Sequence, residues 1–359
     1  LATSGLVSAA YVETGTLGDK ASWETAEYNY NWGLGAMNAS SAYALGFYGQ
    51  NTTTGVMDSG AWLGNPDLDT PRITATHVTG VYDSSGNRSP QSIYATIQKG
   101  VVPTAAEGQP FTEGEEFDVK GDYTLGLNDA HGTQVTGVIG AERNGEYGHG
   151  VAFKANVVVG NTGATDNNNY GPFQDYNYYF KGYKALADAV NAGNGEYRGG
   201  MVNNSYGTNT KIYSSGGHRL TPDEMSELLA GSGNYDRASA AYAVTFSGDY
   251  SFLGLNDVPG ADQYSTNPSA FEWEYMYFKL KYGDKPSFLD GAYDAVKGTN
   301  VILSWAAGNQ DRGTPYLKGL YPYFHPEAEK NWLNAVGVMQ TRGDNDQYMQ
   351  ATYCKAGLA

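Results

Sequence analysis

Cysteine is almost missing from the 359 residues: Cys354 stands alone, so no disulfide closes within this stretch, and its thiol is either free or paired with sequence outside it. Long apolar runs are missing as well. No stretch approaches the roughly 18–20 consecutive apolar residues of a membrane-spanning helix, which excludes one here. Positive charge is scarce, with 22 Lys and Arg against 38 Asp and Glu and a formal net charge of −16. Such a balance repels phosphate backbones instead of releasing their counterions, which argues against nucleic acid as a partner. Charged residues of both signs make up only 17 % of the chain, against roughly a quarter in an average one.

The polar surface must therefore come from Tyr, Asn, Ser, Thr and Gly, and the 30 Tyr and 48 Gly supply it; surfaces of this kind are common on exported bacterial proteins. A 40 % hydrophobic content suffices for a sizeable core, and the length fits two domains or one large one. The stretch Leu1 to Ala10 is small and apolar and reads like the end of a signal-peptide hydrophobic region with a small-residue cleavage site, or else as an ordinary terminus.

Residues 1–30 lack a sustained period and read as a leader or arm. From Trp32 the pattern sharpens, with Ala36, Ala39, Ala42, Tyr43 and Ala44 suggesting a short helix and Thr53 to Met57 a strand that stops at Asp58-Ser59-Gly60. Residues 62–120, rich in Thr, Ser, Gly, Pro and Asn, read as a strand-and-loop insertion containing one alternating run from Ile73 to Val81. Helical character returns over His131 to Gly140, and Val157 to Val159 suits a strand buried on both faces. Phe180, Tyr183, Ala187 and Val190 share one helix face, with Gly193 at the expected stop. Met201 to Asn204, Val301 to Ser304 and Ala335 to Met339 are further strands, and Leu289 to Val296 a further helix. Residues 208–286 form a second insertion, with a capping box at Thr221-Pro222-Asp223-Glu224. Strands alternating with helices imply an α/β fold whose largely parallel sheet carries its sites beyond the carboxyl ends of the strands.

Asp58, His131 and Asn309 fall at such strand ends or helix starts. An imidazole at His131 can exchange protons near neutral pH, a buried carboxylate at Asp58 could hold one ring N–H, and the Asn309 amide could donate to a developing oxyanion. Singly, each signal is weak: Asp before Gly and Gly before Asn are usually turns, and a lone His is usually structural.

Their order and flanking residues carry more. Gly55-Val56-Met57-Asp58-Ser59-Gly60, His131-Gly132-Thr133-Gln134-Val135-Thr136-Gly137, Asn204-Ser205-Tyr206-Gly207 and Ala306-Ala307-Gly308-Asn309 occur in the order found in subtilisin-like serine proteases, which the chain resembles over roughly residues 30–355 apart from the insertions. The stretch Trp32 to Ala39 with Ala42-Tyr43-Ala44 is similar, more narrowly, to subtilases carried by autotransporters of Gram-negative bacteria. The resemblance implies a subtilisin-like α/β domain over 31–359. It assigns Asp58 to orient the base, His131 to act as general base and acid, and Asn309 to donate to the oxyanion. Ser205, Tyr206 and Gly207 would pair with substrate backbone and line the pocket for the residue before the scissile bond, with Ala307 and Gly308 on its other wall. Tyr206 is bulky for that place. The family's nucleophile motif, Gly-Thr-Ser, occurs nowhere in the 359 residues. The expectation is a fragment whose nucleophilic serine lies beyond Ala359, inactive alone, or else a degenerate pseudoenzyme.

No cofactor is required for such catalysis. The loop Glu142 to Gly150, with Glu142 and Asn144, is a candidate for structural calcium of the kind the family often holds, against plain hydration. His77, His149, His218 and His325 show no zinc spacing. Asp58-Ser59-Gly60 also fits an aspartic-protease signature, but no second Asp-Ser/Thr-Gly exists to share its proton. Tyr176, Tyr178 and Tyr179, or Trp273, Tyr275 and Tyr277, could stack on sugars or simply pack. The expected function is a secreted or surface-displayed serine endopeptidase acting on protein or peptide substrates, with a downstream β-barrel translocator implied by the autotransporter likeness. The rival is a non-catalytic adhesion or glycan-binding module on the same scaffold.

Overall fold

The computed structural model describes residues 11–84, 86–87, 110–122, 130–162, 175–195, 199–206, 285–307, 317–340 and 348–350. Three short helices come first, α1 (Ala26–Tyr30), α2 (Trp32–Ala36) and α3 (Ala39–Ala44). The first two start where the sequence offers a cap: the Thr25 hydroxyl accepts from the Tyr28 N–H and the Asn31 side chain from the Gly33 N–H. Then follow β1 (Thr53–Asp58), β2 (Ile73–Ala75), β3 (His77–Val81), β4 (Gly86–Asn87), β5 (Pro110–Phe111), β6 (Glu116–Lys120), α4 (His131–Gly140), β7 (Asn156–Asn161), α5 (Tyr176–Gly193) and β8 (Gly199–Asn204). The described elements close with α6 (Phe288–Val296), β9 (Asn300–Ala306), α7 (Leu317–Phe324), β10 (Trp332–Ala335), β11 (Val338–Gln340) and β12 (Tyr348–Gln350).

Six strands form one sheet in the order β10-β9-β8-β1-β7-β2, and every pairing in it is parallel. The expected α/β architecture is borne out. From β1 the chain runs outward to β2, returns to β7, and resumes as β8 on the other side of β1. That reversal leaves a crevice at the carboxyl end of β1, where ligands bind in sheets of this kind.

Helices cover both faces because the central strands are apolar on both. Val56, Val157 and Val159 pack with Ile73, Leu68 and the partly buried Val135 and Ile139 of α4. Met57, Val202, Leu303 and Trp305 face the other way, against Tyr183, Leu186 and Val190 of α5 and Leu289, Ala292 and Val296 of α6. The predicted stripe on α5 is buried at Tyr183, Ala187 and Val190, with Phe180 partly buried at its edge. The helix stops at Gly193 as anticipated, and contact requires glycine there: a Cβ would lie 1.9 Å from Thr53 Oγ1.

Three expectations change. Residues 62–120 are not all insertion, since β2 is an edge strand of the main sheet. The alternating run through Val81 is also two strands in two sheets, because Thr76 donates its N–H to Val159 O of β7 while its carbonyl accepts from Gly121, turning β3 off to pair with β6. Residues 11–30 do not stand away as an arm: Trp23 and Tyr28 are buried with Leu34, Tyr43 and Phe153. They close over Arg143, whose guanidinium is fully enclosed beside Glu13 (3.1 Å), His149 (2.9 Å) and Thr25 (3.3 Å), and lies over the Trp23 and Phe153 rings. Burial, with the Arg143 charge adding to it, pushes the His149 imidazole down to about 4. It stays neutral, donating from Nδ1 to the Gly150 carbonyl and accepting on Nε2 from Arg143. The helix expected at 221–229 and most of the 208–286 insertion lie outside the described residues. A capping box is present at Ser287 and Asp290, opening α6.

Where the β3–β6 hairpin meets α5, Asp83 lies against the buried helix cap Asp175, whose carboxylate accepts from the Asp83 and Ser84 N–H and O–H groups and from Tyr178 N–H. Partial burial and the Asp175 carboxyl push Asp83 up to about 7. A carboxyl raised in the fold stabilises it below the unfolded pKa, and that contribution is lost as pH climbs through the folded value. Asp83→Asn is expected to melt at the wild-type temperature at about pH 4 and above it at about pH 8. Equal melting temperatures at both ends would refute the coupling.

Candidate active site

Asp58 ends β1, the strand at the centre of the sheet, and its side chain is only 2 % exposed. Its Oδ1 accepts from the Ser59 N–H at 2.7 Å and lies 2.8 Å from His131 Nδ1. A carboxylate can only accept, so the imidazole proton sits on Nδ1 and the lone pair on Nε2. The other oxygen, Oδ2, is buried with no hydrogen-bond partner among the described residues. A charge so poorly solvated favours a cation beside it, which is what an imidazole becomes on taking a proton.

His131 opens α4, and that helix is seated on the turn leaving β1. The Gly132 N–H donates to Ser59 Oγ at 3.0 Å, and Thr133 Oγ1 accepts from the Trp62 N–H at 2.9 Å. Gly60 takes φ of +83°, and a Cβ on Gly132 would lie 2.0 Å from its carbonyl oxygen. Both glycines are required, one by backbone conformation and the other by contact. The Asp58 carbonyl accepts from Thr162 N–H beyond β7, so the β7 side holds the end of β1 in place.

Beside this pair, β8 runs parallel to β1 with Asn203 opposite Val56, so Ser205 follows just past the strand end as Asp58 closes its own. The Ser205 hydroxyl accepts from Asn203 Nδ2 at 2.8 Å. Tyr206 turns its ring into the core, edge-on to Trp305 and beneath the Lys318 ammonium. Any part it takes in binding substrate would be through its backbone. Ala307 is buried where β9 ends, its N–H donating to the Ala335 carbonyl. Gly207, Gly308 and Asn309 lie outside the described residues. The geometry thus brings together Asp58, His131, Ser205 and Ala307 at the carboxyl ends of three adjacent strands. Sequence reasoning passed over Ser59 and Thr162. Ser59 had a signal, a hydroxyl just after the acid, which caps the helix of the base.

Side chains behind several other readings have partners within the fold, while His218, Trp273, Tyr275 and Tyr277 lie outside the described residues. Glu142 pairs with Arg72 at 2.7 Å, and Asn144 Oδ1 accepts from the Glu146 N–H at 3.0 Å, so these two oxygen sources of the 142–150 loop have protein partners. Tyr178 and Tyr179 are core, and Tyr176 stacks on Phe180. His77 meets Asp118 and His325 stacks on Tyr321. The described residues contain no group of three or more His, Cys, Asp or Glu able to hold a metal ion.

The pattern of the Subtilase family, Peptidase_S8, matches residues 49–356. The chain belongs to the subtilase family. Two extracellular serine proteases of Serratia marcescens are each 32 % identical to this subtilase over 163 residues, 45 % of its length and 12 % of theirs. Among solved structures, it is similar to a psychrophilic protease titled S41 (13 % identity, TM-score 0.35, 86 % of this chain and 60 % of that one). It is also similar to the nisin leader peptidase NisP of Lactococcus lactis (14 % identity, TM-score 0.33, 84 % and 55 %). The subtilase thus spans less than two thirds of each of these four relatives.

Proposed function

We propose that this subtilase is the acid–base half of a secreted serine endopeptidase, with the nucleophilic serine supplied by sequence beyond Ala359. The observation that carries the reading is the buried Asp58 carboxylate 2.8 Å from His131 Nδ1, at the carboxyl end of the central strand. The serine hydroxyl gives its proton to His131 Nε2 while its oxygen attacks the scissile carbonyl. Asp58 stabilises the resulting imidazolium, and Asn309 donates its amide N–H to the oxyanion. The imidazolium then protonates the leaving amine, and water, deprotonated by the same ring, hydrolyses the ester. Ser205 to Gly207 hold substrate backbone, with Ala307 and Gly308 opposite. The extracellular relatives support export, and a β-barrel translocator is part of the same proposal.

Without a Gly-Thr-Ser, this stretch alone forms no acyl-enzyme. The test is to express the full open reading frame and treat it with a fluorophosphonate probe. A single serine within a Gly-Thr-Ser context is expected to be labelled. An intact folded product that stays unlabelled and cleaves no protein would leave the non-catalytic module as the better reading.

A further inference from the structure

Beneath the strand end at Asn204 to Tyr206 runs a chain of buried hydroxyls that no part of the acid–base machinery uses. Tyr183 of α5 is fully buried, and its hydroxyl lies 2.5 Å from Asn204 Oδ1 and also meets the Tyr206 hydroxyl. The direction of every proton follows by elimination. Asn204 Nδ2 donates to the Val202 and Ser304 carbonyls, so the atom facing Tyr183 is the amide oxygen, which only accepts. Tyr183 therefore donates to Asn204 and must accept from Tyr206. Burial holds both phenols well above their usual pKa, so each remains a donor.

Asn204 and Tyr206 are two apart in sequence and so point to the same side, leaving Ser205 turned to the other. One phenol thus fastens both neighbours of Ser205, and Asn204 carries that anchorage to β9 through Ser304. We infer that Tyr183 is a positioning residue for substrate: it fixes the level and facing of the Ser205 segment so that its backbone can pair with an extended peptide. The inference rests on the proposed role of Ser205 to Gly207. Without the Tyr183 hydroxyl, Asn204 Oδ1 and the Tyr206 O–H both lose a buried partner, and the segment is free to shift toward other partners. Tyr183 touches no reacting atom, so its loss should weaken selection of long substrates more than the chemical step.

The experiment uses the full-length protein with two substrates: an extended peptide long enough to pair along the Ser205 segment, and a small activated ester that cannot. Wild-type cleavage of both, abolished in His131→Ala, establishes the proposed function independently. In Tyr183→Phe, the ratio of kcat/KM for peptide to that for ester should fall about three- to tenfold, the span of one net hydrogen bond, with the peptide's KM rising. Tyr206→Phe should lower the same ratio, and the double variant should add little to either, because one chain has been cut twice. If Tyr183→Phe leaves the ratio unchanged, whether both activities persist or both fall in proportion, the positioning role is refuted. A wild-type protein that cleaves neither substrate refutes the proposed function instead.

Discussion

Replacing His131 by Ala in the full-length protein should lower kcat by about four to six orders of magnitude, the scale on which removal of a general base coupled to a nucleophile acts. The reason lies in the pairing with Asp58. The 2.8 Å contact fixes the ring's tautomer and places a poorly solvated negative charge where the imidazolium forms. Without the ring, nothing described at the strand ends can take the serine's proton. The fold should tolerate the change, because the His131 side chain is 26 % exposed and lies at the crevice. The measurement is single-turnover cleavage by wild type and variant at matched folded fraction. A variant within about tenfold of wild type would remove His131 from the mechanism.

Gly132→Ala should be nearly as damaging by another route. The new Cβ would lie 2.0 Å from the Gly60 carbonyl oxygen and 3.1 Å from Ser59 Oγ. The first of these is backbone, in a turn already committed to φ of +83°, and it cannot swing aside as a flexible side chain would. Either α4 lifts off the end of β1, carrying His131 from Asp58, or the turn deforms under Asp58 itself. Overpacking of this sort costs about 1–3 kcal/mol or more, and activity should fall more steeply than stability. Gly137 provides the control, being in the same helix with no atom of the described residues within 4 Å of the place a methyl group would take. Gly137→Ala should be neutral or stabilising by up to about 1 kcal/mol, since alanine is the better helix former. Thermal melts and kcat measured together distinguish the two glycines, and equal behaviour would mean the Gly132 contact does not constrain the site.

Much of this was legible in the sequence because the signals were local. The β-branched run at Val157 to Val159, the apolar strand into Asp58 and the stripe from Phe180 to Val190 each declare an element within a few residues. The four ordered motifs then bring distant pieces to one place. What stayed hidden depended on partners far along the chain. Thr76 ends one strand and starts another because Val159 and Gly121 approach it from either side, and nothing within Ile73 to Val81 announces that break. Arg143 reads as an ordinary loop cation until Glu13, Thr25 and His149 surround it. Tyr183 reads as one more apolar position, since periodicity registers the ring and is blind to where the hydroxyl finds Asn204.

The enclosure of Arg143 binds two remote stretches of polypeptide to a common fate. Glu13, Thr25 and Trp23 on one side and Arg143 and His149 on the other form a lock whose halves make sense only together. Substitution in one half strands a guanidinium away from water unless the other half changes with it. Across relatives, these positions should drift as a set, and a chimera that exchanges residues 11–30 without the 142–149 loop would join mismatched halves.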